Sequence, residues 1–244
     1  MGAADGGADE RPVHRVSVSE YFIGRFPVTV DEYARFVRAT GHPAPALRDL
    51  PSLASNLREA PFREFAAPYA WHRGEPPAGH GNHPVVLVTH DDARTYCRWL
   101  SETQGATFRL PTEAEWEKAA RGGLEGQRYA WGNELHASYA NYLADPASKR
   151  QSGTKPTGTY PPNAYGLYDV AGNVWEWVSD WYDADGYRSS VTSDPQGPPT
   201  GHVRIVRGGS WVCDRPDMLQ CAHRHTVPPD TYAHSIGFRI VRAA

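Results

Sequence analysis

Turn-forming residues interrupt this chain throughout: 23 glycines and 21 prolines in 244 residues leave little room for long helices or strands. A chain so broken still needs a dry interior. Here 8 tryptophans and 13 tyrosines can supply it, because each large ring removes much apolar area from water. The order of local signals is helices first, then short β-rich runs. Together these features predict an α+β domain, rich in loops, with short helices and short antiparallel strands.

Three helices are signalled by their caps. Thr29 followed by Glu32 reads as a capping box, with Tyr33, Phe36 and Val37 at helical spacing and Gly41 as the stop. Thr89 opens a second helix whose Ala93, Tyr96, Cys97 and Leu100 share one face. Thr112 with Glu115 opens a third, which ends at Gly122-Gly123. Strands are expected at His14–Val18, Val174–Val178, His202–Val206 and Gly237–Val241. Residues 42–84 read as one irregular excursion, yet Phe62, Phe65, Tyr69 and Trp71 are too apolar for a linker.

The net charge of −3 advertises no surface for nucleic acid. No run approaches the ~20 apolar residues of a membrane-spanning helix. The first twelve residues, MGAADGGADERP, contain no apolar leader segment and are expected to fray, leaving residues 13–244 as a single domain. Three cysteines, Cys97, Cys213 and Cys221, cannot all pair, which points to a reducing, cytoplasmic setting.

Three long blocks carry a family resemblance: FRLPTEAEWEKAARGG (Phe108–Gly123), NAYGLYDVAGNVWEW (Asn163–Trp177) and RGGSW…GFR (Arg207–Arg239). With their order and spacing, the chain resembles the formylglycine-generating enzyme, or sulfatase-modifying factor, family. The resemblance implies a C-type-lectin-like fold elaborated with irregular structure. It also implies an oxidoreductase that converts a cysteine of a protein substrate to formylglycine with dioxygen. In that family Cu(I) is held by two cysteines in a GGS-aromatic-x-Cys-x4-Cys pattern, and two soft thiolates suit that ion.

Here the pattern breaks. Cys213 stands at the first thiolate position beside Ser210, but Met218 occupies the second, and Cys221 lies eight residues beyond Cys213. The resemblance places Cys97 and Cys221 at structural disulfide positions whose partners would be Ile240 and Ala120, so both are expected as buried free thiols. Cys213 has three readings: a residual small thiol, a ligand of a rebuilt soft-metal site with Met218 or Cys221, or a lone reactive thiol. His223 and His225 alternate in Cys-Ala-His-Arg-His, which would put both rings on one strand face within reach of one ion. No nucleophile-elbow pattern surrounds Ser210, which argues against a serine hydrolase.

The resemblance also implies structural calcium. Asp169 and Glu176 would give carboxylates, and Gly172 and Val174 carbonyls, a donor set suited to a hard cation. A second calcium would use Asn141 and the Tyr142 carbonyl, with its acid near Lys149 or at Asp145. Two functions therefore compete. One is a metal-dependent oxidoreductase acting on a peptide cysteine or a small molecule, with Cys213 and Ser210 at its centre. The other is a noncatalytic ligand-binding protein, including a retroelement-diversified variable protein, whose terminal loop offers Trp211, Asp214, His223 and His234. An iron-dependent sulfoxide synthase would need histidines from an additional helical domain, for which this chain has no room.

Overall fold

The computed structural model describes residues 1–47, 59–143, 153–189 and 191–244. Five helices are described: α1 Val30–Thr40, α2 Glu59–Ala66, α3 His90–Gln104, α4 Glu113–Arg121 and the single turn α5 Gly186–Ser189. The strands are β1 Tyr21–Ile23, β2 Phe108–Arg109, β3 Trp175–Trp181, β4 Arg204–Arg207, β5 His225–Val227, β6 Ile236–Gly237 and β7 Val241–Ala243. This is the α+β, loop-rich, C-type-lectin-like arrangement that the sequence implies.

The three capped helices form where their caps place them. Thr29, Thr89 and Thr112 each accept the N3 backbone N–H, and Glu32, Asp92 and Glu115 each reach back to the cap N–H. Gly41, Gly105 and Gly122 close the other ends at φ 70°, 64° and 58°, a conformation glycine adopts without strain. Each such cap contributes about 1 kcal/mol. Glu115 does double duty, since its carboxylate also takes both terminal nitrogens of Arg109 at 2.6 Å.

Two small sheets organise the rest. One has the order β1-β7-β2 and is antiparallel, tying the first strand to the last. The other has the order β5-β4-β3-β6. Within it β3–β4 and β4–β5 are antiparallel, but β3–β6 is parallel, pairing Trp175 with Ile236. That departs from the all-antiparallel expectation. Three aromatic-rich clusters fill the interior: one around Tyr33, Phe36, Tyr96, Trp177 and Phe238, a second around Trp116, and a third around Trp211 and Tyr232.

Several boundaries differ from the sequence reading. His14–Val18 is not a strand; only Ser17 makes an isolated bridge, to Ser193. The run Gly237–Val241 splits into the ends of β6 and β7, one in each sheet. Helix α2 lies in the stretch read as irregular. The first twelve residues, expected to fray, pack on α4: Gly2 donates its N–H to Glu117 Oε1 at 2.9 Å, and Arg121 donates to the Gly2 carbonyl at 2.9 Å. Buried Glu117 and half-buried Arg121 need these partners, which explains why the polar segment is held. Among the described residues no helix is long and apolar enough to cross a membrane.

Candidate functional site

Strand β4 runs into Gly208-Gly209, where the chain turns at φ 93° and 76°. Only glycine fits. A Cβ on Gly208 would stand 3.0 Å from Trp116 Cζ2, and one on Gly209 would stand 2.7 Å from Leu219 Cδ2. The turn aims Ser210 at Cys213: the Ser210 N–H donates to Sγ at 3.3 Å, and Ser210 Oγ lies 3.6 Å from it. Both residues are buried. Burial pushes the Cys213 thiol up, and the two Ser210 hydrogen bonds oppose that rise.

The other sulfurs sit elsewhere. Cys213 packs in the cluster of Trp175 and Trp177, whereas Cys221 belongs to the cluster of Trp116 and Ala120. Arg207 holds the Cys221 backbone there. It is fully buried and donates to the carbonyls of Cys221 at 2.6 Å, Ala222 at 2.9 Å and His223, and to Glu117 at 2.8 Å. All three cysteines are free and buried, and burial pushes Cys97 and Cys221 up to about 12. Cys221 shares its cluster with Ala120, and Cys97 shares its own with Ile240, the partner positions that the family resemblance implies. Met218 is half-buried and packs against the Cys213 cluster.

The histidines divide between two places. His225 stacks on Trp175 with centroids 4.9 Å apart, and His223 lies 5.9 Å from the same ring. Both rings therefore lie near Trp175, but His223 precedes β5 and its Nδ1 is engaged by Glu10 Oε1 at 3.2 Å. His234 instead faces Trp211, 5.2 Å between centroids, with Phe62 and Phe65 at 5.8 and 5.9 Å. Burial pushes His234 down to about 4, and its Nδ1 has no partner. Phe65 is 48% exposed, whereas Trp211, His234 and Phe62 are buried. Asp214 is exposed.

Among the described residues no three His, Cys, Asp or Glu side chains converge as a metal-ligand group. With Met218 at the second thiolate position and Cys221 in another cluster, these residues do not fit a paired-thiolate copper centre.

The Asn163–Trp177 loop is tightly wound. Asn163 Nδ2 donates to the Ala119 and Ala120 carbonyls, satisfying the end of α4. Asp169 and Asn173 hold φ 57° and 64°, where Asp and Asn are enriched. The Asp169 carboxylate accepts the Gly158 N–H at 2.9 Å and Asn173 Nδ2 at 3.3 Å, and burial pushes it up to about 6. Glu176 is already neutralised: Arg239 donates to both its oxygens at 2.6 and 2.7 Å, and Trp116 Nε1 donates at 2.6 Å. Asp169 thus has no cationic partner in hydrogen-bond contact among the described residues, while Glu176 is committed to Arg239. Asn141 donates to the Gly153 carbonyl and Asn173 Oδ1, and its backbone bridges to Gly172, so the two expected calcium loops are joined. Tyr142 is half-buried next to it; Asp145 and Lys149 lie outside the described residues.

Comparison with known proteins decides the lineage. A family profile described as sulfatase-modifying factor enzyme 1-like domain matches residues 1–244. The chain belongs to the sulfatase-modifying factor family. It is 39% identical to the formylglycine-generating enzyme of Streptomyces coelicolor, over 99% of this chain and 83% of that one. It is 35% identical to the inactive C-alpha-formylglycine-generating enzyme 2 of Bos taurus, over 98% and 83%. The structure of PvdO from Pseudomonas aeruginosa superposes with a TM-score of 0.80 at 29% identity, covering 100% of this chain and 90% of that one. Within this family member, sequence reasoning missed α2, which supplies Phe62 and Phe65 to the His234 face. The density of aromatics at 62–71 was the available signal.

Proposed function

We propose that this chain is a ligand-binding member of the sulfatase-modifying factor family that lacks the family's copper chemistry. The observation that carries the reading is the separation of the sulfurs: Cys213 and Cys221 occupy different clusters, with Met218 at the second thiolate position. The ligand face is Trp211 and His234 with the exposed Phe65. It would take a protein segment or small molecule with an aromatic or apolar group to lie against Phe65, the part of this cluster open to solvent. The existence of an inactive relative at 35% identity is consistent with such a loss. Asp169, with the carbonyls of Gly172 and Val174, would hold a structural Ca²⁺, which supplies charge compensation rather than chemistry.

A second reading is favoured by one contact. Ser210 still turns its N–H and hydroxyl to Cys213 Sγ, and the Streptomyces coelicolor relative carries the enzyme's name. On that reading the chain is an oxidoreductase acting on a peptide cysteine or small molecule with dioxygen. Incubating the reduced protein with Cu(I), oxygen and a peptide carrying Cys-x-Pro-x-Arg, followed by mass spectrometry, separates the two. The binding reading expects the peptide cysteine to stay unconverted. Conversion that depends on Cys213 would overturn it in favour of the second.

A further inference from the structure

A groove of about 590 Å³ opens beside α3 and the far end of β3, apart from Cys213 and the His234 cluster, and no acid lines it. Its lining includes Arg94, Arg98, Arg109, Arg204 and His90. In a chain of net charge −3, that much positive charge around one groove calls for an explanation.

Arg109 is accounted for, because Glu115 takes both its terminal nitrogens. The other three guanidiniums have no close carboxylate hydrogen bond of that kind among the described residues. Arg94 comes no nearer than 3.8 Å to the exposed Asp91, too long for a hydrogen bond. Arg98 donates to the Thr95 hydroxyl at 3.0 Å, a neutral partner. Arg204 lies flat on Trp181, its Cζ 3.5 Å from the ring centroid, and donates Nη1 to the Ser179 carbonyl, while its buried Nε has no acceptor. Burial and the nearby Arg94 push Arg204 down to about 10, with Asp180 opposing. Burial, with Arg204 adding, pushes His90 down to about 3, so at neutral pH His90 adds no charge.

Like charges lining a groove that has no acid in its own wall are mutually repulsive, and an anion in the groove relieves them. Trp181, Leu110, Pro198 and Pro199 give the groove an apolar wall, alongside the polar Ser179 and Gln196. We infer that this groove binds a small organic anion with two or more negative charges. Its phosphoryl or carboxylate groups sit between Arg94, Arg98 and Arg204, and its apolar part lies against Trp181 and the two prolines. Planar guanidiniums suit either headgroup, since both accept paired N–H bonds.

The test is calorimetric titration with pyrophosphate and with citrate at about 20 mM and about 200 mM salt. The comparison is wild type against the Arg94→Gln, Arg98→Gln double variant, both positions being exposed and outside the core. The expected result is saturable one-to-one binding of at least one anion, weakened roughly tenfold or more in the variant with an unchanged melting temperature. The tighter of the two identifies the headgroup. Absence of saturable binding to wild type would overturn the inference, as would equal affinity in the variant. Hexaglutamate binding more than about tenfold tighter than both small anions would also overturn it, in favour of an acidic peptide.

Discussion

Glu176 gives the sharpest prediction, because its role is contested between calcium and Arg239. Both side chains are essentially inaccessible, and the carboxylate takes three charge-assisted bonds at 2.6–2.7 Å. Glu176→Gln keeps the shape and an acceptor for Trp116 but leaves Arg239 buried without a counter-charge. Breaking one side of a buried pair costs about 3–5 kcal/mol. At about 2.1 cal/mol/K per residue, 244 residues give an unfolding entropy of roughly 0.5 kcal/mol/K, so about 4 kcal/mol lowers Tm by roughly 8 °C. Scanning calorimetry with calcium and with a chelator measures it. The loss should be nearly the same in both buffers, and replacing both partners by apolar residues should cost less than the single change. A loss below about 1 kcal/mol, or one that disappears in chelator, would refute the assignment of Glu176 to Arg239.

The other expectations can be checked on the same protein. Calcium should raise the Tm of wild type over chelator by an amount that grows with its concentration, and Asp169→Asn should remove the effect; an equal rise in the variant would place the ion elsewhere. Burial, with Glu113 adding, pushes Asp180 up to about 7, so its ionised form costs stability in the fold. Because the folded pKa lies above the unfolded one, that cost is absent below about pH 4, grows as pH rises and is complete above about 7. Asp180→Asn should therefore stabilise at pH 8, by at most roughly 4 kcal/mol, and not at pH 4, as urea denaturation at the two pH values would reveal. Gly209→Ala should cost about 1–3 kcal/mol from its φ of 76° and the Leu219 contact, and denaturant midpoints would show it; a neutral substitution would mean the turn relaxes freely.

How much of this was legible in advance follows from the range of the interactions. The Thr29, Thr89 and Thr112 caps and their glycine stops are local, so they could be read directly. Cys97 and Cys221 as buried free thiols followed from the family resemblance, and each lies in a cluster with its implied partner position. What failed depends on distant partners. Helix α2 is short and set in Pro-rich surroundings, and the residues before Glu59 lie outside the described ones. Glu10 is held near His223, more than two hundred positions along the chain, and composition alone made its segment look frayed. Arg239 as the owner of Glu176, 63 positions away, could not be inferred from ligand spacing in one loop. The arginine groove draws on α3, β2, β3, β4 and residues 196–199, five separate stretches, so no single window of sequence displays it.

Cu(I) competition against a chromophoric chelator, on reduced wild type and Cys213→Ala, tests the central claim most directly. With Cys213 and Cys221 in separate clusters, the two proteins should bind Cu(I) weakly and alike. Tight one-to-one binding that is lost in Cys213→Ala would contradict the account and return this chain to the copper oxidases of its family.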